Sequence, residues 1–514
     1  SLSLVAQTRL RVYFSDKGEN LSLLENPSSF LSERSLERRT KQNLTVDQTD
    51  LPVSSNYLQQ IRDRDFKIIR KSKWLNAALV EGEDIEALAA LPFVIRVEHP
   101  RKAKPHFAGQ QALQTNFDYG TAQTQVQMVN GEQFHQLGFT GEGVVIAVLD
   151  GGFNGTNTAT AFDTLWSQGR ILGSYNFVRN DTNVYLGGSH GTSVLSVMGA
   201  NLPRRLVGTA PDAAFWLLTS ENEASETPVE MDNWLAAAEF ADSVGADVIN
   251  SSLGYSVFDD PQDNYSYSDM DGNTTVVTKA ADMAAAKGIM VVVSAGNEGG
   301  GSWQYITAPA DGDSVLAVGA VDGQEQYVSF SSRGPSFDGR VKPDVVAMGA
   351  GTALVTRTGA VIGGFGTSFS SPVIAGMAAC LIQAQPNRTV WQLMEQIKRS
   401  AHQYFNPDPN LGYGIPNFFT AYQLASPEYE IANQGFTVYP NPAEGALFVS
   451  FTNDNKALDL DLQISDLSGR MVLSAQHRQL HQEKLRIPLD LKKGIYLLQI
   501  KTGEYDYQQK LIIR

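Results

Sequence analysis

Cysteine is nearly absent, with Cys380 alone in 514 residues. That excludes an intrachain disulfide and any thiolate-rich zinc site. On an apolar helical run, Cys380 reads as a packed core thiol. Histidine is scarce at seven residues, so each one that falls in a motif counts. Long apolar runs are missing: none approaches the roughly 18 residues that a membrane-spanning helix needs. Basic residues fall short of acidic ones, 40 against 55, which argues against a nucleic-acid surface. The shortage is uneven. Residues 1–106 carry 17 Lys and Arg against 14 Asp and Glu, whereas the remainder carries 23 against 41. Opposite net charges on two parts of one chain attract each other, more weakly in salt.

The 42% hydrophobic and 18% charged content is that of a folded chain, and the length is too great for a single core. Three patterns follow one another. Residues 1–8 fit the tail of an export signal. Residues 9–106 read as a small α/β unit with strands at 10–14, 66–70, 75–80 and 93–98 and helices at 32–42, 56–62 and 84–91. A linker at 107–120 loses all periodicity.

From 121 to 425 the pattern becomes apolar strands alternating with helices. Val144–Leu149 is an unbroken apolar run, as in a strand covered on both faces, and Ala246–Ile249, apart from Asp247, Ile289–Val293 and Val315–Gly319 have the same character. Helices are expected at 229–243, 275–287, 371–385 and 389–400. The fold class is therefore α/β, a doubly wound and mostly parallel sheet. After 435 short alternating runs at 446–451, 460–464, 485–489, 495–500 and 510–514 predict a small all-β sandwich.

Four segments carry chemistry. Asp150 ends the strand 144–149, where functional groups gather in an open α/β sheet. Ser189-His190-Gly-Thr begins a helix of small residues. Ser294-Ala-Gly-Asn297 puts an amide just past a buried strand. Gly363-Gly-Phe-Gly-Thr-Ser368-Phe-Ser-Ser-Pro372 places a serine hydroxyl before an apolar helix, with Pro372 suited to its first turn. A serine needs a base to become a nucleophile, imidazole supplies one near neutral pH, and a carboxylate fixes its tautomer. Asn297 and the Ser368 N–H could hold the oxyanion.

In the order Asp…His…Ser, these segments resemble the subtilisin family of serine endopeptidases. Phe330-Ser-Ser-Arg-Gly-Pro335 and Lys342-Pro-Asp-Val345 are similar to further family segments. The resemblance implies a subtilisin-like fold, with Asp150 as orienting carboxylate, His190 as general base and acid, Ser368 as nucleophile and Asn297 as oxyanion donor. It implies that Ser252, Leu253 and Gly254 pair with an extended substrate backbone, and that Ala295 and Gly296 line the first specificity pocket. Gly151 departs from the family, which usually has a hydroxyl residue there. The related sedolisins use an acid where this chain has His190.

Residues 9–106 resemble a subtilase propeptide, which implies an intramolecular inhibitor removed by cleavage within 100–120. Residues 435–514, with Tyr439-Pro-Asn-Pro442 and the ending Lys510-Leu-Ile-Ile-Arg514, resemble the sorting domain of type IX secretion substrates. That implies export through the type IX machinery across an outer membrane, to a free or surface-attached location. Polypeptides are the implied substrates, and the implied enzyme is a monomer that needs no catalytic cofactor. Asp259, Asp260, Asp263, Asp269 and Asp271 crowd one insertion, and Asp269-Met-Asp-Gly-Asn273 resembles a fragment of a calcium loop. It makes these two carboxylates candidate ligands for a structural calcium. A binding protein on an inactive protease scaffold is the other class of reading. The competent side chains at all four catalytic positions weigh against it.

Overall fold

Seven parallel strands form the centre of the computed structural model. It describes residues 9–82, 85–98, 119–222, 225, 227–424, 436–451, 458–466, 470–480, 484–489, 491–501 and 506–513. The expected signal remnant, most of the 107–120 linker with its maturation site, and His99, His106 and His481 lie outside these residues. Two compact units divide the chain, 1–421 and 422–514.

The central sheet runs Val345–Met348, Leu316–Val321, Met290–Ser294, Val248–Ser251, Val145–Asp150, Ala214–Thr219, Ile171–Asn176, every neighbouring pair parallel. Of these, Val145–Asp150, Met290–Ser294, Leu316–Val321, Val345–Met348 and Val248–Ser251 are buried at every residue, which is why they read as continuous apolar runs rather than alternations. From Val145–Asp150 the chain first builds toward one edge and then returns to build toward the other. The crevice beyond that strand and Val248–Ser251 is the switch point where α/β sheets place their sites.

Helices Val229–Val244 and Val276–Ala286 cover one face and share a core with the sheet through Trp234, Leu235, Ala281 and Ala284. Helix Thr367–Ala384 covers the other. Among the described residues it is the one helix long and apolar enough to cross a membrane, but it is buried at every residue from Thr367 to Leu381, as a core helix is. It starts four residues earlier than periodicity suggested, so Pro372 lies inside the helix and not at its entrance.

The amino-terminal unit is an antiparallel sheet in the order Lys67–Ser72, Ala77–Glu81, Arg9–Phe14, Val94–Glu98. It packs on its own core of Leu10, Val12, Leu58, Ile61, Val80 and Leu88. It docks on helix Val229–Val244. The Glu239 carboxylate accepts from Ser72 Oγ (2.6 Å), the Lys73 N–H (3.0 Å) and the Trp74 N–H (3.1 Å), and the Trp74 ring joins the core beneath the sheet. Asp242, fully buried, meets Arg39 (2.9 Å), Lys73 (3.0 Å) and Arg38. Arg11 pairs with Asp232 and Arg34 with Asp247. These pairs run from the basic unit to the acidic body, as the charge division implied. Lys287 with Asp47 and Asp50 runs the other way.

The second unit has strands in the order Met471–Leu480, Leu458–Asp466, Gly494–Lys501, Asp506–Ile513, Phe436–Glu444, Ala446–Phe451, Lys484–Pro488. All neighbours are antiparallel except one parallel pair, Ala443 with Ile513. Leu447, Val449 and Ile487 from one side share a core with Leu460, Leu462, Leu498 and Leu511 from the other.

Candidate active site

Asp150 is the last residue of its strand and is fully buried. Its Oδ1 accepts from the Gly151 N–H (2.7 Å) and bonds His190 Nδ1 (2.8 Å). A carboxylate only accepts, so Nδ1 carries the proton and Nε2 is left basic. Among the described residues, Asp150 Oδ2 is buried without a hydrogen-bond partner. His190 opens the helix His190–Gly199, and its imidazole remains partly exposed.

Ser368 is the second residue of helix Thr367–Ala384, so its N–H is one of the first-turn donors without an intrahelical acceptor. Gly366, at φ +144°, makes the sharp entry. The ring of Phe369, next to Ser368, lies 5.6 Å from the imidazole, so strand and helix bring the two motifs together. Pro372 has no N–H to offer the carbonyl of Ser368, four residues earlier. Ser252 Oγ donates to that carbonyl instead (2.9 Å). Asn250 Nδ2 donates to Ser252 Oγ (3.2 Å), and Ser371 Oγ donates to Asn250 Oδ1 (2.9 Å). The turn that bears Ser368 is thus tied by buried side chains to strand Val248–Ser251.

Asn297 follows strand Met290–Ser294 and is exposed. Its Oδ1 accepts from the Thr367 N–H (2.8 Å) and Thr367 Oγ1 (3.0 Å). With the oxygen engaged by Thr367, the residue before Ser368, the amide's NH₂ is the end that can donate. An N–H and an amide held this way can stabilise charge that develops on a bound carbonyl, without reorganising at the moment of reaction.

Ser252–Gly254 and Ala295–Gly296 lie on the two sides of a narrow slot. Tyr255 exchanges backbone bonds with Ala308 (2.8 and 3.1 Å), and the Thr307 N–H donates to the Ala295 carbonyl (3.1 Å). Thr307 fills the gap. A Cβ on Gly254 would stand 2.2 Å from Thr307 Oγ1, and one on Gly296 would stand 2.9 Å from it. Phe330–Pro335 backs the slot, with the Ser332 N–H on the Gly296 carbonyl (3.0 Å) and Ser332 Oγ on the Glu298 N–H (3.0 Å). Lys342–Val345 lies away from it: Asp344 binds Lys342 (2.7 Å) and the Ala317 N–H (2.9 Å) at the start of a strand.

Two residues at the site carried no signal of their own. Thr307 stands in no motif, and Glu221 follows a strand, Ala214–Thr219, that escaped the periodicity reading; its Oε1 accepts from the Tyr255 hydroxyl. In the acidic insertion the two candidate carboxylates bond nearby backbone N–H groups. Asp269 Oδ2 accepts from the Ser266 N–H (2.7 Å), and Asp271 accepts from the N–H groups of Asn273 and Thr274 (both 2.8 Å). Among the described residues no group of three or more His, Cys, Asp or Glu is placed to hold a metal ion. Cys380 is fully buried against the Thr209 carbonyl (3.3 Å).

Residues 141–415 match the family model of the subtilase family, 9–116 that of the Bacteroidota peptidase S8 propeptide domain, and 437–514 that of a secretion system C-terminal sorting domain. The chain is 30% identical over 370 residues to subtilisin E of Bacillus subtilis strain 168, covering 71% of this chain and 85% of that one. To subtilisin of Bacillus pumilus it is 31% identical over 303 residues, 58% of this chain and 98% of the relative. The crystal structure of MycP1 with the N-terminal propeptide removed aligns at a TM-score of 0.48 and 23% identity, over 59% of this chain and 98% of that one. The sorting domain directs secretion by the type IX route. With more than half its length matched and its acid–imidazole pair formed, this chain belongs to the subtilase family, a serine peptidase carrying its own propeptide and secretion tail.

Proposed function

We propose that the protein is a secreted endopeptidase that cleaves polypeptides through an acyl-enzyme on Ser368. The observation that carries this is the Asp150–His190 bond of 2.8 Å, formed beside the helix start that bears Ser368. His190 Nε2 takes the Ser368 proton as Oγ attacks the scissile carbonyl, then delivers it to the leaving amine. Water repeats the cycle on the ester. Asp150 holds the tautomer and offsets the imidazolium charge. The Ser368 N–H and the Asn297 amide receive the oxyanion.

The backbone of Ser252, Leu253 and Gly254 suits pairing with an extended chain, which reads peptide shape before side-chain identity; the Ser252 carbonyl accepts from the Ser368 hydroxyl (3.3 Å) until substrate enters. The Ser252 hydroxyl is occupied by Ser368, so its role toward substrate is through the backbone. Thr307 between Gly254 and Gly296 favours a small side chain at the cleaved bond, beside Ala295 and Gly296. The reading assigns no cofactor to catalysis and no ion to Asp269 or Asp271. It takes the chain as a monomeric zymogen cut within 100–120, with residues 9–106 as the inhibitor, 107–120 as the linker, 121–425 as the catalytic domain and 435–514 as the sorting domain. Release or surface attachment follows export.

The test is incubation with a fluorophosphonate probe and with casein, the Ser368→Ala variant serving as control. Labelling and cleavage by the matured protein, both lost in the variant, are expected. No labelling and no cleavage overturn the reading.

A further inference from the structure

The triad leaves one buried acid at its side unused. Thr219 pairs with Asp150 across adjacent parallel strands, and the Ser220 N–H donates to the Asp150 carbonyl (3.1 Å). The next residue, Glu221, is only 8% exposed. Its Oε1 accepts from the hydroxyl of Tyr255, the residue directly after Ser252–Gly254. Tyr255 therefore reaches from the wall of the slot to an acid beside the catalytic carboxylate. Among the described residues no cation pairs with Glu221. Acids are rarely buried this far without a compensating charge, and a glutamine would make the same bond to Tyr255 at lower cost.

We propose that Glu221 is a positioning residue for His190: it holds a proton in the resting site and, on releasing it, adds a second negative charge beside Asp150 that strengthens the imidazole as a base. The inference rests on the triad assignment above. Burial pushes the Glu221 carboxyl up, the Tyr255 hydrogen bond pulls the other way, and the charge of Asp150 adds to the rise, leaving it at about 7. The acids of the neighbouring helix have other partners: Glu230 Oε2 accepts from the Thr227 N–H (2.7 Å), and Asp232 is paired with Arg11. Among the described residues, Asp150, Tyr255 and, through Asp150, His190 are thus the titratable groups that Glu221 meets.

The sign follows from the charges. At acid pH Glu221 is neutral and only Asp150 favours the imidazolium. As pH rises through neutrality Glu221 loses its proton to solvent, and two anions then stabilise the cation that forms when Ser368 gives up its proton.

The experiment measures kcat/KM on a chromogenic peptide from pH 5 to 9, for enzyme matured from the full chain as wild type, Glu221→Gln and Tyr255→Phe. The wild type is expected to rise more steeply than one ionisation allows. Glu221→Gln is expected to rise as a single ionisation displaced to lower pH by about half a unit or more, with a plateau several-fold lower. Tyr255→Phe removes the donor that favours the ionised acid and is expected to move the second step to higher pH. Profiles that keep the wild-type shape in both variants, scaled by a constant factor, overturn the proposal, because a merely structural loss is independent of pH. If Glu221→Gln does not accumulate, the shape of the Tyr255→Phe profile decides alone. Failure of the wild type to take the fluorophosphonate probe would overturn the triad reading as well, whereas labelled enzyme with unshifted profiles overturns this inference only.

Discussion

The Ser252 hydroxyl donates to the Ser368 carbonyl (2.9 Å), the acceptor that Pro372 leaves without its helical N–H. A proline at this place in a helix would ordinarily leave a buried carbonyl unsatisfied. Here the opening is used to fasten the nucleophile's own backbone to the strand that faces it.

Ser252→Ala removes that donor while leaving every triad side chain in place. An unsatisfied buried acceptor costs about 1–3 kcal/mol, so a melting temperature lowered by several degrees is expected. Loosening of the turn is expected to reduce kcat by about tenfold or more, with KM changed less, since the position of Oγ matters at the transition state. Unchanged melting and unchanged kcat in purified enzyme would show that the bond fastens nothing.

Asn297→Asp keeps an acceptor for the Thr367 N–H and replaces the NH₂ donor by a negative charge. Because the oxyanion exists only in the transition state and its flanking intermediates, kcat should fall by about 10²–10³ or more, with little change in KM. Steady-state kinetics on one peptide substrate measures both parameters. A rise in KM alone would place Asn297 in ground-state binding instead.

The candidate catalytic side chains were legible because each lies within a run of small residues whose types the chemistry dictates: Asp150-Gly-Gly, His190-Gly-Thr, Ala295-Gly-Asn297 and Gly-Thr-Ser368. What joins them was not. Ser252 and Ser368 stand 116 positions apart, and nothing near Ser252 announces that its hydroxyl replaces a helical N–H. The same bond explains the misplaced helix start. Pro372 resembles a first-turn proline when only local rules apply, but a tertiary donor lets the helix begin at Thr367. Thr307 and Glu221 act through what they touch, Gly254 and Tyr255, and a threonine or a glutamate carries no trace of that in the chain. The strand Ala214–Thr219 was missed for a simpler reason: six residues of mixed aromatic and aliphatic character are too short to separate strand from helix by period. In the second unit, Phe436–Glu444 forms a strand that was not among the alternating runs.

Thr307→Gly should open the slot between Gly254 and Gly296. Removing the side chain frees the volume of a few heavy atoms, and a larger substrate side chain gains what apolar burial supplies. The ratio of kcat/KM for a peptide with Phe at the cleaved bond to that for one with Ala is expected to rise about tenfold or more. A falling ratio would mean that Thr307 does not limit the pocket.

Asp242 joins the propeptide to the body by charge, and its protonation behaviour tells how that contact responds to acid. Burial alone would raise its carboxyl, but Lys73, Arg38 and Arg39 outweigh burial and hold it well below the usual carboxylate range. A depressed pKa means a contribution that is present above the ordinary carboxylate value and lost only as pH falls through the depressed one. Mild acid, between about pH 5 and the ordinary carboxylate value near 4, should therefore leave this part of the docking intact. Asp242→Asn is different: it leaves buried cations facing a neutral amide, at a cost of about 3–5 kcal/mol when a buried pair loses one partner. In the Ser368→Ala background, which keeps the chain uncut, the variant is expected to unfold at lower temperature and to expose its 100–120 linker and amino-terminal unit to added protease sooner. The difference should persist at pH 5 and narrow only in stronger acid. Equal melting and equal proteolysis at pH 7 would show that the ion cluster at Asp242 does not hold the propeptide.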